Sequence, residues 1–140
     1  MMNRLDYFIE SRIIGVSIGE TGKEVDITLA GTDGHRYLLG IVGVDRLLVS
    51  ELREQNVIEE MTHWHHVKNG SDIREQVFFL VAGCSERYCD ANLIPIVEKK
   101  IDQVLSGNLE LLEITAIAGA NVLVTFASLK VQLITESPSR

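Results

Sequence analysis

Apolar and polar positions alternate strictly along residues 24–30 (EVDITLA). Val25, Ile27 and Leu29 fall on one face, and Glu24, Asp26 and Thr28 on the other. A period of two marks a half-buried strand. Residues 12–18 (RIIGVSI) before it and 35–42 (HRYLLGIV) after it are apolar and rich in β-branched side chains. The turns between them carry Gly19, Gly22, Gly31 and Gly34. Three strands with tight turns predict an antiparallel meander.

The period then lengthens. Asp45 is placed to cap a helix with Leu47, Leu48 and Leu52 on its apolar side, running to about Gln55. Residues 62–70 (THWHHVKNG) read as a strand or loop closed by Asn69-Gly70. Residues 73–82 (IREQVFFLVA) have two readings. Asp72 and Glu75 stand at capping-box spacing, which favours a helix. The dense run Val77–Val81, with its Phe and Val, favours a buried strand, and a strand is the expectation.

Residues 90–106 form the clearest helix. Pro95 sits near its start, Ile94, Val97, Ile101, Val104 and Leu105 make its apolar stripe, and Gly107 ends it. Residues 109–118 and 122–134 then predict a hairpin turning at Gly119–Asn121. A bulge near Ala127–Ser128 is needed to keep the second strand in register. The tail 136–140 is expected to fray. The order β-β-β-α-(β)-β-α-β-β predicts one α+β domain over residues 1–140. Its sheet is mainly antiparallel, with about five to seven strands and two or three helices.

Composition agrees with a folded chain. Of 140 residues, 46% are hydrophobic and 24% charged, which excludes disorder as the main state. Charge adds more. The net charge is -7, with 11 acids to 7 bases in residues 1–70 and 9 to 6 in 71–140, so no acidic tail accounts for it. The longest basic run is Lys99-Lys100, with Glu98 and Asp102 close by. Nucleic-acid binding rests on clustered Lys and Arg and is disfavoured. An acidic exterior steers toward basic proteins instead. The uncharged stretch Ile114–Leu129 is interrupted by Gly119 and Asn121 and is too short for a membrane helix. The start MMNRLDYFIESR lacks a secretory h-region. A soluble, cytoplasmic protein with no membrane contact is expected.

The candidate chemistry is sparse. Gly19-Glu-Thr-Gly22-Lys23-Glu24 looks like part of a phosphate loop but has Ser17 where the first glycine belongs. It also has Glu24 where a Mg²⁺-binding hydroxyl belongs, so a hairpin turn is the better reading. In His63-Trp64-His65-His66, the first and third imidazoles share a strand face, and His63, His65 and His66 are candidate metal ligands. Cys84, Cys89 or Glu60 would have to complete the set. The bland alternative is a polar strand or loop with Trp64 anchored in the core. Cys89, just ahead of the helix, is the better-placed nucleophile, but Glu86 and Asp90 oppose thiolate formation. No Gly-x-Ser-x-Gly elbow occurs, and no cofactor is implied. Glu51, Glu54, Glu59 and Glu60 are either a solvated face or a docking patch for a basic partner, with Trp64 as a possible contact residue.

Three functional classes remain. The favoured one is a non-enzymatic acidic protein-binding module. A concrete form of it is a bacterial toxin-neutralising (immunity) protein that covers the active site of a basic nuclease-type toxin. The second is a small metal-dependent enzyme or metal-binding protein using His63, His65 and His66. The third is a homo-oligomeric subunit, which the slightly positive mean hydropathy of +0.14 and exposed edge strands would suit.

Overall fold

In the computed structural model, which describes residues 2–134, the strands are β1 (Met2–Arg4), β2 (Arg12–Ile18), β3 (Glu24–Ala30), β4 (Arg36–Val42), β5 (Arg46–Ser50), β6 (Ile58–Trp64), β7 (Glu110–Ala116), β8 (Asn121–Phe126) and β9 (Ser128–Ile134). The helices α1 (Arg74–Ala82) and α2 (Ile94–Leu105) lie between β6 and β7. All strand pairs are antiparallel. The fold is α+β, as the element order implied. The strands form two sheets rather than one: a five-stranded sheet ordered β1-β6-β7-β8-β5 and a four-stranded sheet ordered β2-β3-β4-β9. The expected frayed tail 136–140 lies outside the described residues.

Three layers result. The alternating face of β3 packs Val25, Ile27 and Leu29, with Leu39 and Ile41 of β4, against Met61, Leu112, Ile114, Val122, Val124 and Phe126 of the larger sheet. The opposite face of that sheet carries Trp64, Leu111 and Leu123 beneath Val77, Phe78, Val97, Ile101 and Val104 of the helices. Apolar burial on both faces is the main stabilising term. It explains why β8 is buried from Val122 to Phe126 with Thr125 as the one polar residue of that run.

Two expected elements are corrected by the same fact. The helix expected from Asp45 to about Gln55 is strand β5 followed by a loop. Leu47 and Val49 pack partly buried against the inter-sheet core and Leu48 against the helical layer, so a strand with apolar residues on both sides mimics a helical repeat. Asp45 caps nothing. It pairs with Lys100 of α2 and accepts a hydrogen bond from Thr125 Oγ1 at 3.0 Å, tying the helical layer to β8. Conversely, 73–82 is helix, not strand. Its apolar run buries Val77, Phe78 and Leu80, while Phe79 remains 37% exposed. The Asp72–Glu75 box does not form. Asn69 Oδ1 accepts from Ser71 N at 3.1 Å and caps a short turn that leads into α1.

Arg74 clamps the start of α1. Its guanidinium donates to both carboxylate oxygens of Glu86, at 2.8 and 2.7 Å, and reaches Glu98 of α2 at 2.8 Å. These two carboxylates hold the Arg74 charge well above its ordinary range. The groups are partly solvated, so Arg74→Ala should cost only about 1 kcal/mol by urea denaturation, with most of the loss gone in molar salt.

The last hairpin is confirmed between β7 and β8, but its second strand divides. At the expected bulge, Gly43, Val44 and Asp45 oppose only Phe126 and Ala127, and Ala127 N donates to both Val42 O and Gly43 O. The chain bends there, and β9 leaves the larger sheet to pair with β4. Gly43 adopts φ 70°, and a Cβ on it would lie 2.5 Å from that of Ala127.

Candidate functional site

A groove of about 430 Å³ opens between α1 and the helix-side face of the larger sheet. Its floor includes Leu48 and Leu123, and Phe79 of α1 forms part of the wall. Three carboxylates line it: Glu51 just after β5, Glu75 on the first turn of α1, and Glu113 of β7. Register explains the position of Glu113. It pairs with Leu123 and Thr62, two residues from Leu111, and so faces the helices. Burial pushes its carboxyl above the ordinary 4.5, with Glu75 and Glu60 adding to the rise. A hydrogen bond from Gln76 Nε2 at 3.4 Å opposes it. An ionised carboxylate in this place is short of compensation, the condition that a cationic ligand relieves.

Glu51 lines the groove from the loop after β5 and adopts φ 57°. A non-glycine residue pays about 1 kcal/mol or more for that conformation. Asn56 holds the loop behind it and is only 4% exposed. Asn56 Nδ2 donates to Arg53 O at 2.7 Å and Ile13 O at 3.3 Å, and its Oδ1 accepts from Arg53 N and Ala120 N at 2.9 and 3.0 Å. The β7–β8 turn, β2 and the Glu51 loop are thus joined at one side chain.

The expected acidic patch is dispersed. Glu51 lines the groove. Glu60 stands beside Thr115 on β6 and is 3.7 Å from Arg4. Glu59 is exposed on β6, and Glu54 borders a separate depression with Arg12 and Leu52. Glu51 and Glu54 do not share a helical face, because no helix forms there. Trp64 is 6% exposed and belongs to the core beneath the helices. From the sequence Glu75 stood out only as a capping-box residue, and Glu113 not at all. The available signal was a charge at Glu113 in a strand whose neighbours on both faces are apolar.

No family model matches the chain, and no curated protein or solved structure matches it either.

The histidines take another arrangement. His63 Nε2 and Glu110 Oε1 lie 2.6 Å apart, and the His63 ring stacks on Phe126 with centroids 5.7 Å apart. His65 follows at 5.1 Å, and burial is the main cause of its lowered pKa. His66, at φ 50°, lies beyond it with ring centroids 5.8 Å apart. Among the described residues no group of three or more His, Cys, Asp or Glu is placed to hold a metal ion. Cys84 and Cys89 are both free thiols. Burial, Cys84, Asp90 and Glu86 push the Cys89 thiol up, away from the thiolate a nucleophile needs. Among the described residues no helix is long and apolar enough to cross a membrane.

A second polar cluster has a structural role. Tyr7 donates to Asp33 Oδ2 at 2.5 Å, Tyr37 donates to the same oxygen, and the two phenol oxygens are 2.7 Å apart. These bonds, Tyr37 first, and one from the His35 amide hold the Asp33 carboxyl down at about 2. A depressed carboxylate stabilises the fold above its ordinary 3.8, and that contribution is lost as pH falls toward about 2. Carbon-detected NMR titration should place Asp33 near 2, and Tyr37→Phe should raise it toward 3.8. An unshifted value in the native chain would refute the geometry.

Proposed function

We propose that the protein is a non-enzymatic binding module that docks a basic protein by taking a lysine or arginine side chain into the groove beside α1. The observation that carries this is Glu113, a carboxylate raised by burial and flanked in the groove by Glu51 and Glu75. A long basic side chain matches such a groove. Its methylene stem covers apolar floor, and its charged head meets carboxylates. The net charge of -7 adds long-range attraction that speeds encounter. A toxin-neutralising protein that covers the active site of a basic nuclease-type toxin is the concrete form we favour, because such a toxin presents the complementary charge.

Calorimetry with a short arginine-rich peptide tests the reading. Binding should weaken steeply with salt. It should also strengthen as pH rises through the raised pKa of Glu113, because only the ionised carboxylate attracts the cation. Binding that ignores pH between 4 and 7 would exclude Glu113 from the site.

A further inference from the structure

The four-stranded sheet ends on β9, which among the described residues pairs only with β4. Other sheet edges are blunted in ways natural proteins use against edge pairing. β1 is three residues long. β2 has a bulge between Ile13 and Gly15, and its start is bridged to Val57. β5 runs into Glu51 and Glu54, acids that two copies of this chain would bring together.

β9 carries one such device, Lys130, and otherwise lacks them. It spans seven residues without proline or a register shift. Its register places Leu129, Val131 and Leu133 on the face of Ile41, Leu39 and Tyr37, the core side. Yet Val131 is 42% and Leu133 59% exposed. The apolar layer therefore continues to the free edge with nothing over it in this chain's described residues. Charge also singles out this strand. The chain carries -7, but residues 114–135 contain no Asp or Glu, and Lys130 is the only charge in β9.

We infer that β9 is a self-association edge, pairing antiparallel with β9 of a second copy about a twofold axis at Val131. In that register Val131 meets its own counterpart and Leu129 meets Leu133 of the second copy. Those pairs extend the apolar row across the axis, where cross-strand contacts stabilise a sheet. Lys130 faces Gln132 of the second copy, and Ser128 faces Ile134, so no like charges meet. The two four-stranded sheets become one eight-stranded sheet. The groove beside α1 belongs to the other sheet, so this edge does not rest on the binding reading above.

Sedimentation equilibrium of the full chain over a wide concentration range is the test. The wild type should approach twice the chain mass. Val131→Lys and Leu133→Lys should each raise the half-dimer concentration at least tenfold, with circular dichroism and thermal midpoints near those of the wild type. In a Cys84→Ser/Cys89→Ser background, Val131→Cys should cross-link two chains under mild oxidation, whereas Ile14→Cys, on an exposed bulge, should not. A wild type that stays monomeric at all concentrations overturns the inference, including the case in which β9 takes up a strand from a different protein. A dimer that both lysine variants leave intact overturns it as well.

Discussion

Asn56→Ala is expected to lower the free energy of unfolding by about 3 kcal/mol, since a buried side chain making several hydrogen bonds is lost at once. It would leave the amide of Ala120 and the carbonyl of Ile13 without their partners in a buried place. Urea denaturation should show a lower midpoint with an unchanged slope. Asn56→Asp keeps the acceptor but turns a carboxylate oxygen toward the carbonyls of Arg53 and Ile13, so it should cost at least as much as alanine at pH 7. The same pocket makes Gly119 intolerant. At φ 127°, its Cβ would lie 2.5 Å from Asn56 Oδ1. The effect should reach function too. The loop carrying Glu51 depends on Asn56, so Asn56→Ala should weaken peptide binding even under conditions where the chain remains folded. A loss below 1 kcal/mol would mean that the junction matters little.

Removing the groove charges should have the largest effect on binding. The variant Glu51→Gln/Glu75→Gln/Glu113→Gln is expected to bind an arginine-rich peptide at least about 30-fold more weakly, or about 2 kcal/mol. Stability should move the opposite way. A carboxyl whose pKa is raised in the folded state favours its neutral form there. Its ionisation therefore costs native stability as pH rises from the ordinary 4.5 through the folded value. Glu113→Gln should raise the thermal midpoint at pH 7. The gain should vanish below pH 4.5. A site that is costly to the fold and useful to a ligand gives this pairing of effects. A variant that lost affinity without gaining stability would place Glu113 outside the desolvated floor.

Much of the fold was readable where a segment has one buried face. The β2-β3-β4 meander follows from the alternation at Val25, Ile27 and Leu29. The stripe at Val97, Ile101 and Val104, with Pro95 ahead of it, marks α2. Reading failed where apolar residues occupy more than one side of a segment. β5 and α1 both present dense apolar runs, and there the periodicity that separates strand from helix disappears. The bulge at Ala127 was readable from the register problem in 122–134, but not its consequence, since which sheet a strand joins after a bend is decided by distant pairing with β4. The site was the least legible part. Glu51 and Glu60 drew notice as members of a local run, whereas Glu75 and Glu113 lie far from them in sequence and come near only through sheet register and the docking of α1. Trp64 was readable both as a core anchor and as a contact residue, and it lies in the core.

Nitrogen–proton NMR shifts recorded while the arginine-rich peptide is added test the central claim most directly, because they report where a cation settles. Saturable shifts should concentrate at Glu51, Glu75, Phe79, Glu113 and Asn121. The same residues should stay still in the triple glutamine variant. Small shifts scattered over every exposed acid, or a saturable set centred on the histidines of β6, would show that the groove beside α1 is not where this chain receives its partner.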